Sequence, residues 1–447
     1  QETSAVAIGN GAGNQAQQAQ AVAIGMWAGK NDQRQSAVAI GVSAGNQSQQ
    51  AQAVAIGFCA GNDSQQTNTV AIGTYAGYDS QVCCSVAIGR WAGKTSQNRY
   101  SVSIGDWAGQ INQNTKSVAI GNSAGNTDQG PSAVAIGDWA GQINQGTSAV
   151  AIGNAAGYNN QGQSAVALGT NAGNTEQKQG AIAVGNDAGK TNQGIDAVAI
   201  GQRAGFNDQG TRAIAIGQAA GNDGQKTDAV AIGVGAGEYN QGSNSIAIGS
   251  NAGAFDQNDF SIAIGWHAGY FKQGARNVAI GYEAGAFNHQ NDAVAIGYSA
   301  GRLSAVKTVS IGSYAGNDGQ QGSAIAIGYK AGYLGQGLSS IAIGENAGND
   351  HQANNSIIMK AHGNYIDTTF NDTIIISAGD GEMTSILPQP AHQSAFYVAP
   401  IRSITGSPND SPPRPATLSI GHAAGNDWRF LLYNDTSKEI VYATISS

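Results

Sequence analysis

The chain has 447 residues, of which only 11% are charged and 65 are glycine, with a formal net charge of −8. Ordinary soluble domains carry about 25% charged residues, so amides and hydroxyls must cover this surface, and no basic patch is left for nucleic acid. No run approaches the ~18 apolar residues of a membrane span, so no membrane insertion by this chain is expected; the start at Gln1 without a leader pattern reads as a processed or partial chain.

From Ser4 onward a 16-residue unit recurs, S-A-V-A-I-G-x-x-A-G-x-x-x-Q-G-x. Its first glycine falls at Gly9, Gly25, Gly41 and every sixteenth position to Gly297; one 15-residue step leads to Gly312, and the period resumes at Gly328 and Gly344. That makes 22 units, each with a second glycine four residues later, and 20 of them place Gln eight residues after the first glycine. Gln17, Gln33, Gln49, Gln65 and Gln81 open this column, and His289 and Ala305 break it. A fixed period of this kind predicts a solenoid, one unit per turn.

Within a unit, Val6 and Ile8 alternate with Ala5 and Ala7, a strand that is apolar on both faces. The expectation is that Val and Ile fill the interior and that the small alanine face meets another chain. Gly9 and Gly13 mark corners, and the Asn/Asp/Ser-rich stretch from Asn14 supplies turn chemistry. At roughly 4.8 Å per turn, the Gln column becomes either an amide ladder between turns or a tie to backbone within each turn. The fold class is all-β: a parallel β-roll or β-solenoid of 22 sixteen-residue coils over residues 1–353. A lone roll this narrow is poorly supported, so an oligomer is expected.

At Ser85–Gly89 and Ser117–Gly121, both S-V-A-I-G, the sequence resembles the head repeats of YadA-type trimeric adhesins. The resemblance spans residues 4 to about 353. It implies a left-handed parallel roll, a homotrimer and a role in surface adhesion. The 16-residue unit is longer than is typical of that family, and neither a coiled-coil neck nor membrane-anchor strands follow, so a whole autotransporter is not expected.

Residues 354–395 look like degenerate coils, with Asn355–Ile358 and Thr373–Ile376 as their strands. Residues 396–447 read as a C-terminal cap: Phe396–Arg402, a Pro-rich loop at 408–415, Ser419–Gly421, and a hairpin pairing Leu431–Asn434 with Glu439–Tyr442. This ending is similar to shaft segments of phage and large-virus fibre proteins, which often precede a self-cleaving trimerisation chaperone. An end at Ser447 fits such cleavage and a truncation equally.

Cys59, Cys83 and Cys84 form no disulfide framework and no zinc pattern; incidental free thiols are the first reading, and an interchain bridge at Cys83 or Cys84 the second. Asp106 and Asp138 share a column two coils apart. Asp63 and Asp79 stack in adjacent coils, within a turn that favours Asp regardless of function. The six histidines are dispersed, with no H-E-x-x-H or nucleophile elbow. No catalytic, cofactor or metal residue is assigned. Sequons, those at Asn46, Asn62, Asn371, Asn409 and Asn434 among them, matter only along a eukaryotic secretory route.

Several aromatic side chains fall in the two positions after the first glycine, and others recur further along the unit. Tyr75, Trp91 and Trp107 share one column, Trp266, Tyr282 and Tyr298 a second, and Phe255, Phe271 and Phe287 a third. They read either as ladders that stabilise coil edges or as contacts for a host receptor or glycan, with residues 255–333 the first place to look. The function expected is a non-enzymatic fibre or adhesin on a virion or cell surface. The alternatives are a filament that recognises nothing and, at lower weight, a solenoid enzyme acting on polysaccharide.

Overall fold

The computed structural model describes residues 2–361 and 371–377, with the backbone of strands Ala395–Ala399, Leu418–Ile420, Arg429–Asn434 and Glu439–Thr444. The Pro-rich loop at 408–415, the sequon at Asn409, and His362, His392 and His422 lie outside the described residues. Two compact units are present, Gln1–Tyr239 and Asn240–Ser447.

In the first unit every repeat contributes a three-residue strand, from Val6–Ile8 to Val230–Ile232. Each strand pairs in parallel with its equivalent one turn on, as in Val22↔Val38 and Ala23↔Ala39. A second parallel ladder joins Asp79–Gln81, Thr95–Gln97, Ile111–Gln113, Thr127–Gln129, Ile143–Gln145 and Asn159–Gln161. One unit of sequence is one turn of a parallel β-solenoid.

Left-handed residues make the corners. In one turn these are Trp27, Asp32 and Ser36, with φ of 60°, 48° and 58°. Asn, Asp and Ser dominate the second of these columns because their short polar side chains tolerate this region. Two corners accept only glycine. Gly25 has φ of 129°, and a Cβ there would lie 2.6 Å from the Gly41 carbonyl oxygen. A Cβ on Gly29 would lie 2.6 Å from the Gln33 side-chain oxygen.

The structure reverses the expected orientation of the strands. Ala21, Ala23 and Ala28 are fully buried, as is Gln33, whereas Val22 and Ile24 point outward and are half-buried. The cause is the narrowness of the lumen. Methyl groups, glycine and one extended amide fill it, and a branched side chain has no room beside the amide.

That amide satisfies both roles foreseen for it. Gln33 Nε2 donates to the Val22 carbonyl of its own turn at 2.8 Å and to Gln49 Oε1 of the next turn at 3.1 Å. A longer contact of 3.4 Å reaches the Ala37 carbonyl. The same amide-to-amide bond runs from Gln17 to Gln225.

The second unit repeats this plan from Ile246–Ile248 to Ile341–Ile343 and continues through Ile357–Lys360 and Thr373–Ser377. Beyond Gln352, Ile358 and Ile375 take the inner alanine position and are fully buried. Ala395–Ala399 adds in parallel and Leu418–Ile420 antiparallel, while Arg429–Asn434 and Glu439–Thr444 form an antiparallel pair. In the 15-residue turn, Leu303 pairs with Asp318 and Ser304 with Gln320. The residue lost is therefore the corner that Gly319 occupies, with φ of 76°, one turn later.

The inverted orientation predicts opposite outcomes for adjacent substitutions. Ala135→Leu should cost about 3 kcal/mol, the upper end of overpacking losses, by overfilling the lumen, whereas Val134→Thr should cost under about 1 kcal/mol. Denaturant unfolding of the two variants decides, and a larger loss for Val134→Thr would restore Val to the interior.

Candidate functional site: an aromatic column over a broken ladder

In the first unit the aromatic residues sit on left-handed corners: Tyr75, Trp91 and Trp107 have φ of 56°, 60° and 60°. Trp91 and Trp107 approach to 5.0 Å with their planes tilted by 33°. The Arg90 guanidinium and the Lys94 ammonium lie 5.7 and 5.3 Å from the Trp91 ring. Tyr75 instead meets Phe58 and Tyr78 edge-on, each at 5.4 Å.

The second unit holds a more regular stack. Trp266 and Tyr282 lie 4.5 Å apart with planes 19° from parallel, and Tyr282 and Tyr298 lie 4.9 Å apart at 6°. His267 stacks on Trp266 at 3.4 Å and on Tyr270 at 4.5 Å, and burial holds its imidazole pKa below the ordinary value. Of the phenylalanine column, Phe255 and Phe271 meet at 6.3 Å, and Phe287 reaches Tyr270. Tyr282 is flanked by a ring on the turn before and another on the turn after, so both of its faces are covered. The column around Tyr282 presents ring edges and hydroxyls to solvent, not open π-faces.

Those same turns carry an interior defect. His289 occupies the glutamine position, is fully buried, and leaves both ring nitrogens without a partner. Gln273, one turn earlier, has an unpartnered side-chain oxygen. One turn later Ser304 stands in the column, and its hydroxyl reaches Gln320 Oε1 only at 3.5 Å. Ser310 repairs the far side by donating to Gln320 Oε1 at 2.6 Å. A groove of about 440 Å³ opens beside the defect, lined in part by Lys272, Asn258, Asn288 and Asn291. The sequence showed the interruption as a missing glutamine, but nothing in it marked Ser310 as the substitute donor.

Residues 241–268 match the family model of the YadA head domain repeat, in two copies. That stretch contains Ser245–Gly249 and Ser261–Gly265, both S-I-A-I-G, and ends on Trp266, His267 and Ala268. No curated protein and no solved structure matches the chain. Nothing in these comparisons supports the likeness of the C-terminal segment to virus fibre proteins.

Asp63 and Asp79 are neighbours across a parallel bridge, whereas Asp106 is held by Arg90 at 2.6 Å. Among the described residues, no group of three His, Cys, Asp or Glu side chains is placed to hold a metal, and no helix is long and apolar enough to cross a membrane.

His289 makes the second unit pH-sensitive. Desolvation lowers its pKa from 6.5 to about 4, so the unfolded chain takes up the proton first as pH falls. Stability is full above about pH 6.5 and declines by roughly 3 kcal/mol as pH drops toward 4. His289→Gln should abolish this difference and add about 1–3 kcal/mol at pH 7 by restoring the ladder. Unfolding of both proteins from pH 7 to 4 is the check; parallel pH profiles would contradict it.

Proposed function

We propose that the chain forms the repeat region of a homotrimeric, adhesin-like surface protein with no catalytic role, displayed outside a cell or on a virion. The observation that carries this reading is the outward aliphatic stripe. Within the first unit Ile152, Ile182, Ile200 and Ile232 each keep 36–39% of their surface exposed, and every neighbouring turn adds a Val or Ile to the same face. A contiguous apolar surface on an otherwise amide-rich protein marks an interaction site, and identical stripes on identical copies suit closed symmetry. The trimeric state and the surface location rest on the resemblance to YadA-type heads, supported by the match at 241–268.

Receptor or glycan contact falls to Trp266, Tyr282 and Tyr298, which expose 39%, 41% and 45% of their surface. Tyr75, Trp91 and Trp107 are the second candidates. The covered faces of Tyr282 favour a rival reading, in which the column only staples turns whose interior bonds are missing and the protein recognises nothing.

Mass photometry should give three times the 45.2 kDa chain mass, and Ile200→Lys with Ile216→Lys should lower it to one chain without loss of β signal. A stable wild-type monomer would contradict the oligomer. On the same particles, Trp266→Ala with Tyr282→Ala should reduce binding to host cells or glycans; a fall in stability with unchanged binding would establish the staple instead.

A further inference from the structure

The first unit carries a thiol, in contact with a guanidinium, that neither the fold nor the aromatic columns use. Cys83 and Cys84 are adjacent and partly exposed on one corner, and Cys84 has φ of 64°. Arg99, in the same column one turn later, donates from Nε to Cys83 Sγ at 3.0 Å. Its guanidinium also lies 5.4 Å from the Tyr100 ring, and no carboxylate competes for it among the interactions that set its charge. The backbone N–H of Cys83 donates to Gln66 Oε1 at 3.2 Å, which fixes the residue on the turn before.

We propose that Cys83 is a thiol–disulfide exchange site through which the protein takes up and retains a disulfide-bearing partner. The Cys83 thiolate attacks one sulfur of the partner disulfide; the new S–S bond forms as the old one breaks, and the released thiolate takes a proton from water. A second copy of the chain enters by the same chemistry, its own Cys83 thiolate displacing the first partner as a thiol. No oxidant beyond the disulfide itself is consumed.

The three cysteines form an internal control. The Arg99 contact shifts the Cys83 thiol down, whereas burial shifts Cys59 up and burial and the neighbouring Cys83 shift Cys84 up. The thiolate is the reacting form, so Cys83, beside the Arg99 guanidinium, is the nucleophile; Cys84 is a poor resolving group because adjacent Cα atoms lie about 3.8 Å apart, closer than the roughly 4.4–6.8 Å that a relaxed disulfide spans. A mixed disulfide at Cys83 therefore persists instead of closing onto its neighbour.

The test uses the full assembled chain, with iodoacetamide and then glutathione disulfide as probes, read by peptide mass spectrometry. Cys83 should react roughly tenfold faster than Cys59 or Cys84 at pH 7, with an alkylation midpoint below the ordinary thiol value of about 8.5. Arg99→Gln should raise that midpoint and slow Cys83 toward the other two, leaving particle mass and β signal unchanged. Glutathione disulfide should leave a stable adduct on Cys83, absent in Cys83→Ser. A disulfide-linked pair of chains on a non-reducing gel would identify a second copy as the partner, and the small-molecule adduct alone would identify a low-molecular-weight disulfide. Equal reactivity of the three thiols, indifference to Arg99→Gln, or closure to a Cys83–Cys84 bond without a retained adduct would overturn the proposal.

Discussion

A primary amide sealed in a narrow tube must find every hydrogen-bond partner inside it, and this constraint shapes the rest of the chain. The ladder glutamines do so by spending one N–H on backbone of their own turn and the other on the amide of the next, as Gln129 does toward Val118 at 2.8 Å and Gln145 at 3.0 Å. The lumen is then only as wide as one extended side chain. Alanine becomes the largest apolar residue that fits beside it, and in turns that carry the glutamine, such as those of Gly29 and Gly45, the second glycine is needed because the amide oxygen lies where its Cβ would be. Buried unsatisfied amides are costly, so loss of one rung is felt on both sides of it.

Filling the inside with methyl groups forces the larger aliphatic residues outward. A conventional core would hide Val and Ile; here they become the exterior of the sheet and lie half-exposed along each unit. The stability of a single roll and its tendency to associate thus share one origin. The region around His289 follows the same logic in reverse: where the interior amide is missing, the exterior carries the most regular ring stack, Trp266–Tyr282–Tyr298. There, stacked rings join successive turns from the outside.

Much of this was legible in the sequence because a solenoid writes each turn into the same columns. The 16-residue period, the glycine corners, the glutamine column and its interruption at His289 all correspond to features of the structure, whereas the second interruption falls on Ser304 and not on Ala305, because the shortened turn drops a residue ahead of the column. The orientation of the strand was not, because both of its faces are apolar and hydrophobicity ranks Val and Ile as the inner residues. A subtler signal was present. The middle strand position is restricted to Ala or Ser through the regular turns, including Ser103 and Ser310, whereas its neighbours vary among Val, Ile and Leu168. Intolerance of size marks the confined side. The repair by Ser310 could not be read, since it depends on the hydroxyl facing Gln320 across the lumen. The aromatic columns were visible as spacing, but whether ring faces are open or covered is a matter of geometry alone.

The most direct test of the amide ladder compares two glutamines two residues apart. Gln161 is buried, donates to Val150 and Gln177 at 2.9 and 3.1 Å, and accepts from Gln145, whereas Gln163 is exposed. In denaturant unfolding, Gln161→Met should cost about 3 kcal/mol or more, because it strands polar groups on the turns above and below, and Gln163→Met should stay within about 0.5 kcal/mol of the parent. Equal, small losses for both would show that the amide column does not hold the solenoid together.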